Sequence, residues 1–160
     1  MTNQGTRALP AGTALVAGLQ VAVPVFDRRG ERAPADLPAG WHHHQVDLLA
    51  ADAVERFVGT VVPALPVDVL VNNAGINRIA PVADTRVEDW HAVQTVNLET
   101  PLRLTMAVVP GMRARRYGRI VNISSIFGMV SRVQRALYPM SKFGIRGLTA
   151  ATALEVAPDG

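Results

Sequence analysis

A tyrosine and a lysine stand four residues apart where the sequence reads YPMSK, from Tyr138 to Lys142. Pro139 predicts that a helix begins here, because a missing N–H removes no hydrogen bond in the first helical turn. Residues four apart lie on one face of a helix, so the Lys142 ammonium would stabilise a phenolate at Tyr138. Tyr138 is therefore a candidate general acid and base for a carbonyl or an alcohol.

A pair of serines precedes this tyrosine at the end of a predicted strand. The mostly apolar run at 120–123 predicts a buried strand, and Ser124 and Ser125 follow it. The Ser125 hydroxyl could hydrogen-bond the same oxygen on which Tyr138 acts. Taken singly, the serines would be ordinary strand-end residues and Tyr138 a core residue. Their combined spacing, together with Asn97, favours a reaction site instead.

The rest of the chain supplies elements that could position these residues. Predicted strands alternate with predicted helices, a pattern typical of βαβ units in which helices cover both faces of a parallel sheet. No internal repeat interrupts it, so we predict one α/β domain over residues 1–160. The predicted strands are 21–26, 41–46, 68–71 and 120–123, and the predicted helices are 49–62, a long helix ending near residue 115, and 138–157.

The long predicted helix has a start signal and an internal interruption. Thr85 followed by Glu88 predicts a capping box. Pro101 has no N–H, so the helical hydrogen bond to the carbonyl of Asn97 cannot form and a kink is expected. That carbonyl is then free to accept from water. The helix would bury one apolar stripe, and the predicted core residues along it are Val87, Trp90, Val93, Val96 and Met106.

Composition and charge narrow the classes of function. The chain is 49% hydrophobic and has no cysteine, which excludes disulfides and thiolate chemistry and agrees with a cytoplasmic location. The net charge is +3. The arginines between 113 and 119 suit a helix C-terminus better than a phosphate-binding patch. No aromatic stacking platform accompanies them, so we expect no nucleic-acid partner.

Two further stretches invite a membrane or a metal interpretation, and both are weak. The longest apolar stretch, 14–26, is interrupted by Gln20 and Pro24 and falls short of the ~18 residues that a membrane span requires. We therefore expect no membrane partner. The three histidines at 42–44 would alternate between the two faces of a strand. No acidic or cysteine partner recurs at ligand spacing, so we expect no metal site.

Four features follow one another along the chain: Asn72-Asn73-Ala74-Gly75 after a strand, Asn97, Ser125, and Tyr138-x-x-x-Lys142. In this order they resemble the short-chain dehydrogenase/reductases, a family of nicotinamide-dependent oxidoreductases with a Rossmann fold. The serine precedes the tyrosine by thirteen positions, which is the usual family spacing. Each motif is weak alone, whereas all four on the expected elements are specific, and the resemblance covers residues 19–160. Members that reduce 3-oxoacyl thioesters or similar ketones are the default comparison.

The resemblance implies a catalytic role for each matching residue. Tyr138 would be the acid and base, and Lys142 would tune it and bind the nicotinamide ribose. Ser125 would position and polarise the substrate carbonyl. Asn97 would help to hold a water that links Lys142 to solvent for proton relay. The implied substrate is a small-molecule ketone or secondary alcohol.

The resemblance also implies which residues bind the adenine half of the cofactor. Asn73, Ala74 and Gly75 would line the adenine side and steady the sheet. Asp47 and Leu48 would meet the adenine ring. These five residues follow predicted strands, where ligands bind in open α/β sheets.

The preference between NAD and NADP depends on the residues that follow the predicted strand 21–26. A carboxylate at Asp27 can bond both hydroxyls of the adenine ribose and would repel a 2′-phosphate, which favours NAD. Arg28 and Arg29 could instead offset that repulsion and accept the phosphate. NAD is the preferred cofactor and NADP the alternative.

Both ends of the chain depart from the family pattern. Gly5, Gly12 and Gly18 are too widely spaced for the glycine-rich turn that approaches a pyrophosphate. The segment 13–18 resembles the first strand, but a parallel crossover before the next strand needs about a dozen residues. Alternatively, 5–17 is a remnant of the first helix and the first strand is absent. We therefore expect an incomplete sheet, with the first βα unit missing or degraded and the last strands and substrate lid missing after residue 160.

These observations leave two functions open. The first is an oxidoreductase that transfers a hydride between a nicotinamide and a ketone or secondary alcohol. The second is a catalytically silent fragment or interaction subunit. The family pairs subunits through helices that match 98–115 and 138–157, so the resemblance implies a homo-oligomer in either case.

Overall fold

The computed structural model describes residues 14–17, 44, 46–64 and 66–160 of the chain. Within these ranges, three parallel strands form one sheet in the order β1-β2-β3. The register places Ala17, Asn72 and Asn122 side by side at the carboxyl end of the sheet. The strands are β1 (Ala14–Ala17), β2 (Val69–Asn72) and β3 (Arg119–Asn122).

The position of β1 decides between the two alternatives for the start of the chain. Ala14–Ala17 is a strand and pairs in parallel with β2. The alternative in which the first strand is absent is therefore wrong. The predicted strand 21–26 lies outside the described residues. Two described residues of the predicted strand 41–46, His44 and Val46, belong to no strand.

The helices follow the predicted order. Helix α1 continues into a π-helical turn, Phe57–Val61, and a 3₁₀ turn, Val62–Ala64. A second π-helical turn, Thr95–Glu99, separates α2 from α3, where the proline predicted an interruption. The bounds are α1 (Ala51–Arg56), α2 (Val87–Gln94), α3 (Thr100–Arg115) and α4 (Leu137–Val156).

The predicted capping box at the start of α2 is wrong. The helix begins at Val87 after Arg86, and no side chain caps it. The hydroxyl of Thr85 instead donates to the carbonyl of Pro81 at 3.1 Å, because a 3₁₀ turn ends there. Glu88 pairs with Arg86 at 3.4 Å.

The core lies between the sheet and the helices α1 to α3. Leu70 in the central strand is fully buried and belongs to one buried hydrophobic cluster with Val93 and Leu104. The predicted stripe is only half correct, because Val93 and Val96 are buried whereas Val87 is 64% exposed and Trp90 is 37% exposed. Met106, which was also predicted to lie in the core, is 65% exposed. The sequence alone does not show which face of a helix meets the core.

The arginines near the end of α3 serve the helix terminus, as the sequence predicted. Arg116 ends the helix in the left-handed conformation, with φ of 52°. Arg113 forms an ion pair with Asp159 at 2.6 Å, and Arg119 donates to the carbonyl of Gly160 at 3.0 Å. The Arg113 pair ties the end of α3, and the Arg119 bond ties the start of β3, to the last turn of the described chain.

Candidate active site

The candidate residues follow the carboxyl ends of neighbouring strands. Asn73, Ala74 and Gly75 come directly after β2, and Ser124 and Ser125 come shortly after β3. Because the strands are parallel, these ends share one edge of the sheet. Open α/β sheets bind their ligands at that edge. The topology therefore gathers two of the sequence motifs at one place.

Helix α4 brings Tyr138 and Lys142 to this edge within its first two turns. Pro139 lies in the first turn, as predicted, because the helix begins at Leu137. The Nζ of Lys142 lies 5.5 Å from the centroid of the Tyr138 ring. The ring of Phe127 meets that of Tyr138 edge to face, with centroids 6.1 Å apart. Tyr138 itself is half-buried and thus reachable from the edge of the sheet.

Lys142 is a residue of α4 that buries its ammonium against the backbone directly after β3. Its side chain is only 3% exposed, and Nζ donates to the carbonyl of Ile123 at 2.7 Å. Burial removes water from the ammonium and lowers the pKa of Lys142 below its usual 10.5. Gly75 approaches the same amine, because a Cβ built there would lie 3.7 Å from Lys142 Nζ and equally far from Asn97 Oδ1.

Asn97 lies in the π-helical turn between α2 and α3, and both polar atoms of its side chain form hydrogen bonds. Oδ1 accepts from the backbone N–H of Ile76 at 2.8 Å, and Nδ2 donates to the carbonyl of the same residue at 2.9 Å. Nδ2 also donates to Ser141 Oγ at 3.0 Å. These bonds hold the turn against the segment after β2. Pro101 follows in the first turn of α3 and cannot donate to the Asn97 carbonyl.

Ser125 begins a short 3₁₀ turn, Ile126–Gly128, and is half-buried. Its Oγ accepts from the backbone N–H of Phe127 at 3.2 Å. A hydroxyl that accepts once still has its own hydrogen to donate. Ser124 anchors the loop, because its Oγ donates to the carbonyl of Lys142 at 3.1 Å.

Within the described ranges, no hydrogen bond or ring contact joins the remaining predicted cofactor residues to Tyr138 or Lys142. Asp47 is exposed, and its Oδ1 accepts from the N–H of Leu49 at 2.9 Å in the turn before α1. The side chain of Leu48 belongs to the hydrophobic core. Asp27 and Arg28 lie outside the described residues.

No sequence pattern singles out Ser141, which hydrogen-bonds Asn97 and the Tyr138 carbonyl. A serine before the lysine looks like any small helical residue, so only the packing of α4 identifies it. Among the described residues, no three His, Cys, Asp or Glu side chains cluster as metal ligands. Within the same ranges, no helix combines the length and hydropathy needed to cross a membrane.

The described residues form an α/β domain whose candidate site lies at the carboxyl edge of a parallel sheet, and comparison with known proteins identifies its family. The family model described as short chain dehydrogenase matches residues 11–160. The chain belongs to the short-chain dehydrogenase family.

Relatives and a solved structure agree with this assignment. A D-beta-hydroxybutyrate dehydrogenase of Cupriavidus necator is 42% identical over 93 residues, which are 58% of this chain and 36% of that enzyme. An acetoacetyl-CoA reductase of Shinella zoogloeoides is 35% identical over 164 aligned residues, covering 100% of this chain and 68% of the relative. A metagenomic short-chain oxidoreductase, solved in complex with NADP, is 37% identical and matches with a TM-score of 0.68 over 74% of this chain and 54% of its own.

The matched regions are short relative to the whole relatives. They span 36%, 46% and 53% of three of the most similar curated enzymes. Because so much of each relative lies outside the match, the activity, substrate and assembly of this chain are proposed below.

Proposed function

We propose that this chain transfers a hydride between a nicotinamide cofactor and a ketone or secondary alcohol, with Tyr138 as the acid and base. The observation that carries the proposal is the convergence of Tyr138, Lys142 and Asn97 beside the serine loop at one sheet edge. When bound, the nicotinamide would supply or accept the hydride. The protein's part is to bind both reactants and to move the proton.

The residues around Lys142 fit a nicotinamide ribose. An ammonium has three donors, and the bond to Ile123 uses one of them. Gly75 has no side chain and so leaves the approach to the amine open. In this proposal Lys142 bonds the ribose hydroxyls, and Asn73, Ala74 and Gly75 line the adenine side.

The remaining roles concern the proton and the substrate. Tyr138 gives a proton to the carbonyl oxygen during reduction or takes one from the alcohol during oxidation. The free hydrogen of the Ser125 hydroxyl polarises the same oxygen. The carbonyl of Asn97, to which Pro101 cannot donate, holds a water that passes protons between Lys142 and solvent.

Our preference for the cofactor is NAD, with NADP as the alternative, because Asp27 would repel a 2′-phosphate. Arg28 supplies the opposing charge. Asp47 and Leu48 meet the adenine in this proposal. The substrate class we propose is a 3-oxoacyl compound or a related ketone, in line with the names of the acetoacetyl-CoA reductase and hydroxybutyrate dehydrogenase relatives. We place the protein in the cytoplasm.

The test is oxidation of NADH or NADPH with a panel that includes acetoacetate and acetoacetyl-CoA. Tyr138→Phe should lower kcat by roughly 10²–10⁴, because general acid–base catalysis contributes that much. Fluorescence titration of NADH and NADPH serves as the control, because cofactor affinity should change little without the hydroxyl. Turnover by Tyr138→Phe at the wild-type rate would remove Tyr138 from the mechanism.

A second function has its own supporting observation. Apolar residues on α3 and α4 are exposed, including Met106 and Phe143. We infer that this chain forms homo-oligomers through these helices, and a catalytically silent interaction subunit would use the same surface. The NADH titration separates the two functions, because a silent subunit should bind no cofactor in the micromolar range.

A further inference from the structure

Ser141 lies directly before Lys142 and connects the two halves of the site. Its side chain is completely buried. Its Oγ accepts from Asn97 Nδ2 at 3.0 Å and donates to the carbonyl of Tyr138 at 2.7 Å. One hydroxyl therefore joins the π-helical turn between α2 and α3 to the first turn of α4.

The backbone of Ile76 determines which atom donates and which accepts in each hydrogen bond that Asn97 and Ser141 form here. Its N–H requires an acceptor and its carbonyl requires a donor, so Asn97 presents Oδ1 to the first and Nδ2 to the second. The other Nδ2 hydrogen is then directed at Ser141, which must accept it. The Ser141 hydrogen is left for the Tyr138 carbonyl. Reversing the amide would oppose two donors at the Ile76 N–H.

We propose that Ser141 is a positioning residue, which sets the first turn of α4 against Asn97 so that Tyr138 and Lys142 keep their common orientation. The helix cannot slide or rotate there without breaking buried hydrogen bonds. A tight contact nearby supports this, since a Cβ at Gly144 would lie 2.8 Å from Leu98 Cδ2. The catalytic part of this inference rests on the hydride transfer proposed above.

Thr149 provides a matched control on the same helix. Its Oγ1 donates to the carbonyl of Ile145 at 2.7 Å and accepts from Asn122 Nδ2 at 2.9 Å. The arrangement repeats that of Ser141 two turns later, at a more exposed position. Thr149→Ala removes the equivalent pair of bonds without touching Asn97 or the first turn of α4.

The kinetic test compares Ser141→Ala with Thr149→Ala in the full chain. Ser141→Ala should lower kcat about tenfold or more, because small displacements of reacting groups cost that much, while KM for the cofactor changes less. Thr149→Ala should keep the wild-type kcat. Ser141→Thr, which retains the hydroxyl, should recover activity relative to Ser141→Ala. Equal kcat values for Ser141→Ala and Thr149→Ala would overturn the positioning role.

A second readout is independent of turnover, because Lys142 is the only lysine in the sequence. An amine-acylating reagent therefore reports this one ε-amine, and peptide mapping separates it from the N-terminal amine. Ser141→Ala should raise the labelling rate about tenfold, the effect of one lost buried hydrogen bond. Hydrogen exchange at the Ile76 amide should accelerate with it. Thr149→Ala should leave both rates unchanged.

The two readouts keep this proposal separate from the proposed function. Faster labelling and exchange in Ser141→Ala, in a chain that reduces no ketone, would support the positioning role and count against hydride transfer. Equal rates in Ser141→Ala and Thr149→Ala would overturn the positioning role even in an active chain. If Ser141→Ala fails to fold, Ser141→Cys carries the same comparison, because a thiol keeps the volume and is a weak hydrogen-bond donor.

Discussion

At the scale of single residues, the most consequential side chain is Lys142. It is a buried cation held by the carbonyl of Ile123, and its depressed pKa follows from lost hydration. An ammonium in such a site releases its proton more easily than one in water. Beside the ring of Tyr138, this is a favourable property for a residue in a proton relay.

The depressed pKa predicts how stability depends on pH. Between the lowered folded pKa of Lys142 and its unfolded value of 10.5, the unfolded chain holds more protons. The free energy of unfolding should therefore rise with pH through that window. Below the window the cost of burying the ammonium is fully present and independent of pH.

Lys142→Met isolates this contribution, because other titrating groups cancel in the comparison. Urea unfolding from neutral pH to about pH 10.5 should show wild type gaining stability relative to Lys142→Met as the pH rises. A difference that stays constant, or that moves the other way, would contradict the burial of a charged amine.

At the scale of elements, the loop after β3 fits against α4 only because Gly128 has no side chain. A Cβ there would lie 2.5 Å from Ser124 Oγ and 2.8 Å from the Lys142 carbonyl. The carbonyl belongs to the helix backbone and cannot turn away. Arg146 further ties the loop to α4 by donating to the Gly128 carbonyl at 2.6 Å.

Gly128→Ala should destabilise the chain by about 1–3 kcal/mol, the usual cost of overpacking, and should displace Ser125 from its turn. The control is Gly147→Ala in α4, where a Cβ would meet nothing within 4 Å. Alanine should stabilise that helix by roughly 0.5–1 kcal/mol. Urea unfolding measures both changes. Equal stability of the two variants would show that the loop does not need the close approach.

The π-helical turn at Thr95–Glu99 is the element that sets Asn97 apart from an ordinary helical residue. The N–H of Thr100 bonds the carbonyl of Thr95, five residues back, and the Thr100 hydroxyl reaches the same carbonyl at 2.9 Å. Pro101 explains why regular helix is interrupted here. The interruption was predictable from one proline, whereas its π-helical form was not.

At the scale of the whole molecule, α3 and α4 both expose large apolar side chains to solvent. Met106 and Leu102 are exposed on α3, and Met140 and Phe143 on α4. Residues three or four apart share a helix face, so each helix presents an apolar strip. Such strips suit the homo-oligomer that we propose.

Met106→Glu and Phe143→Glu should lower the molar mass measured by size-exclusion chromatography with light scattering, because a charge cannot be buried unpaired in an apolar interface. Val133→Glu is the control, since Val133 is 80% exposed in the loop before α4. A monomeric wild type, or equal dissociation by Val133→Glu, would contradict an interface through these helices.

Local sequence patterns were enough to predict which residues could do chemistry and which elements carry them. Local motifs and periodicity depend on neighbours along the chain, so they were enough to predict the candidate residues Asn97, Ser125, Tyr138 and Lys142. The bounds of α4 and the interruption before α3 followed from the same local rules.

How distant segments meet became clear only from the folded chain. The bonds of Asn97 to Ile76 and Ser141 span 21 and 44 residues, and Ala14–Ala17 pairs with β2, which lies more than fifty residues further along the chain. The predicted core residues Val87 and Met106 are likewise exposed, because the sequence does not show which face of a helix meets the core. The physical reason is that burial and hydrogen-bond partners depend on which surfaces pack together, and local sequence does not encode that choice.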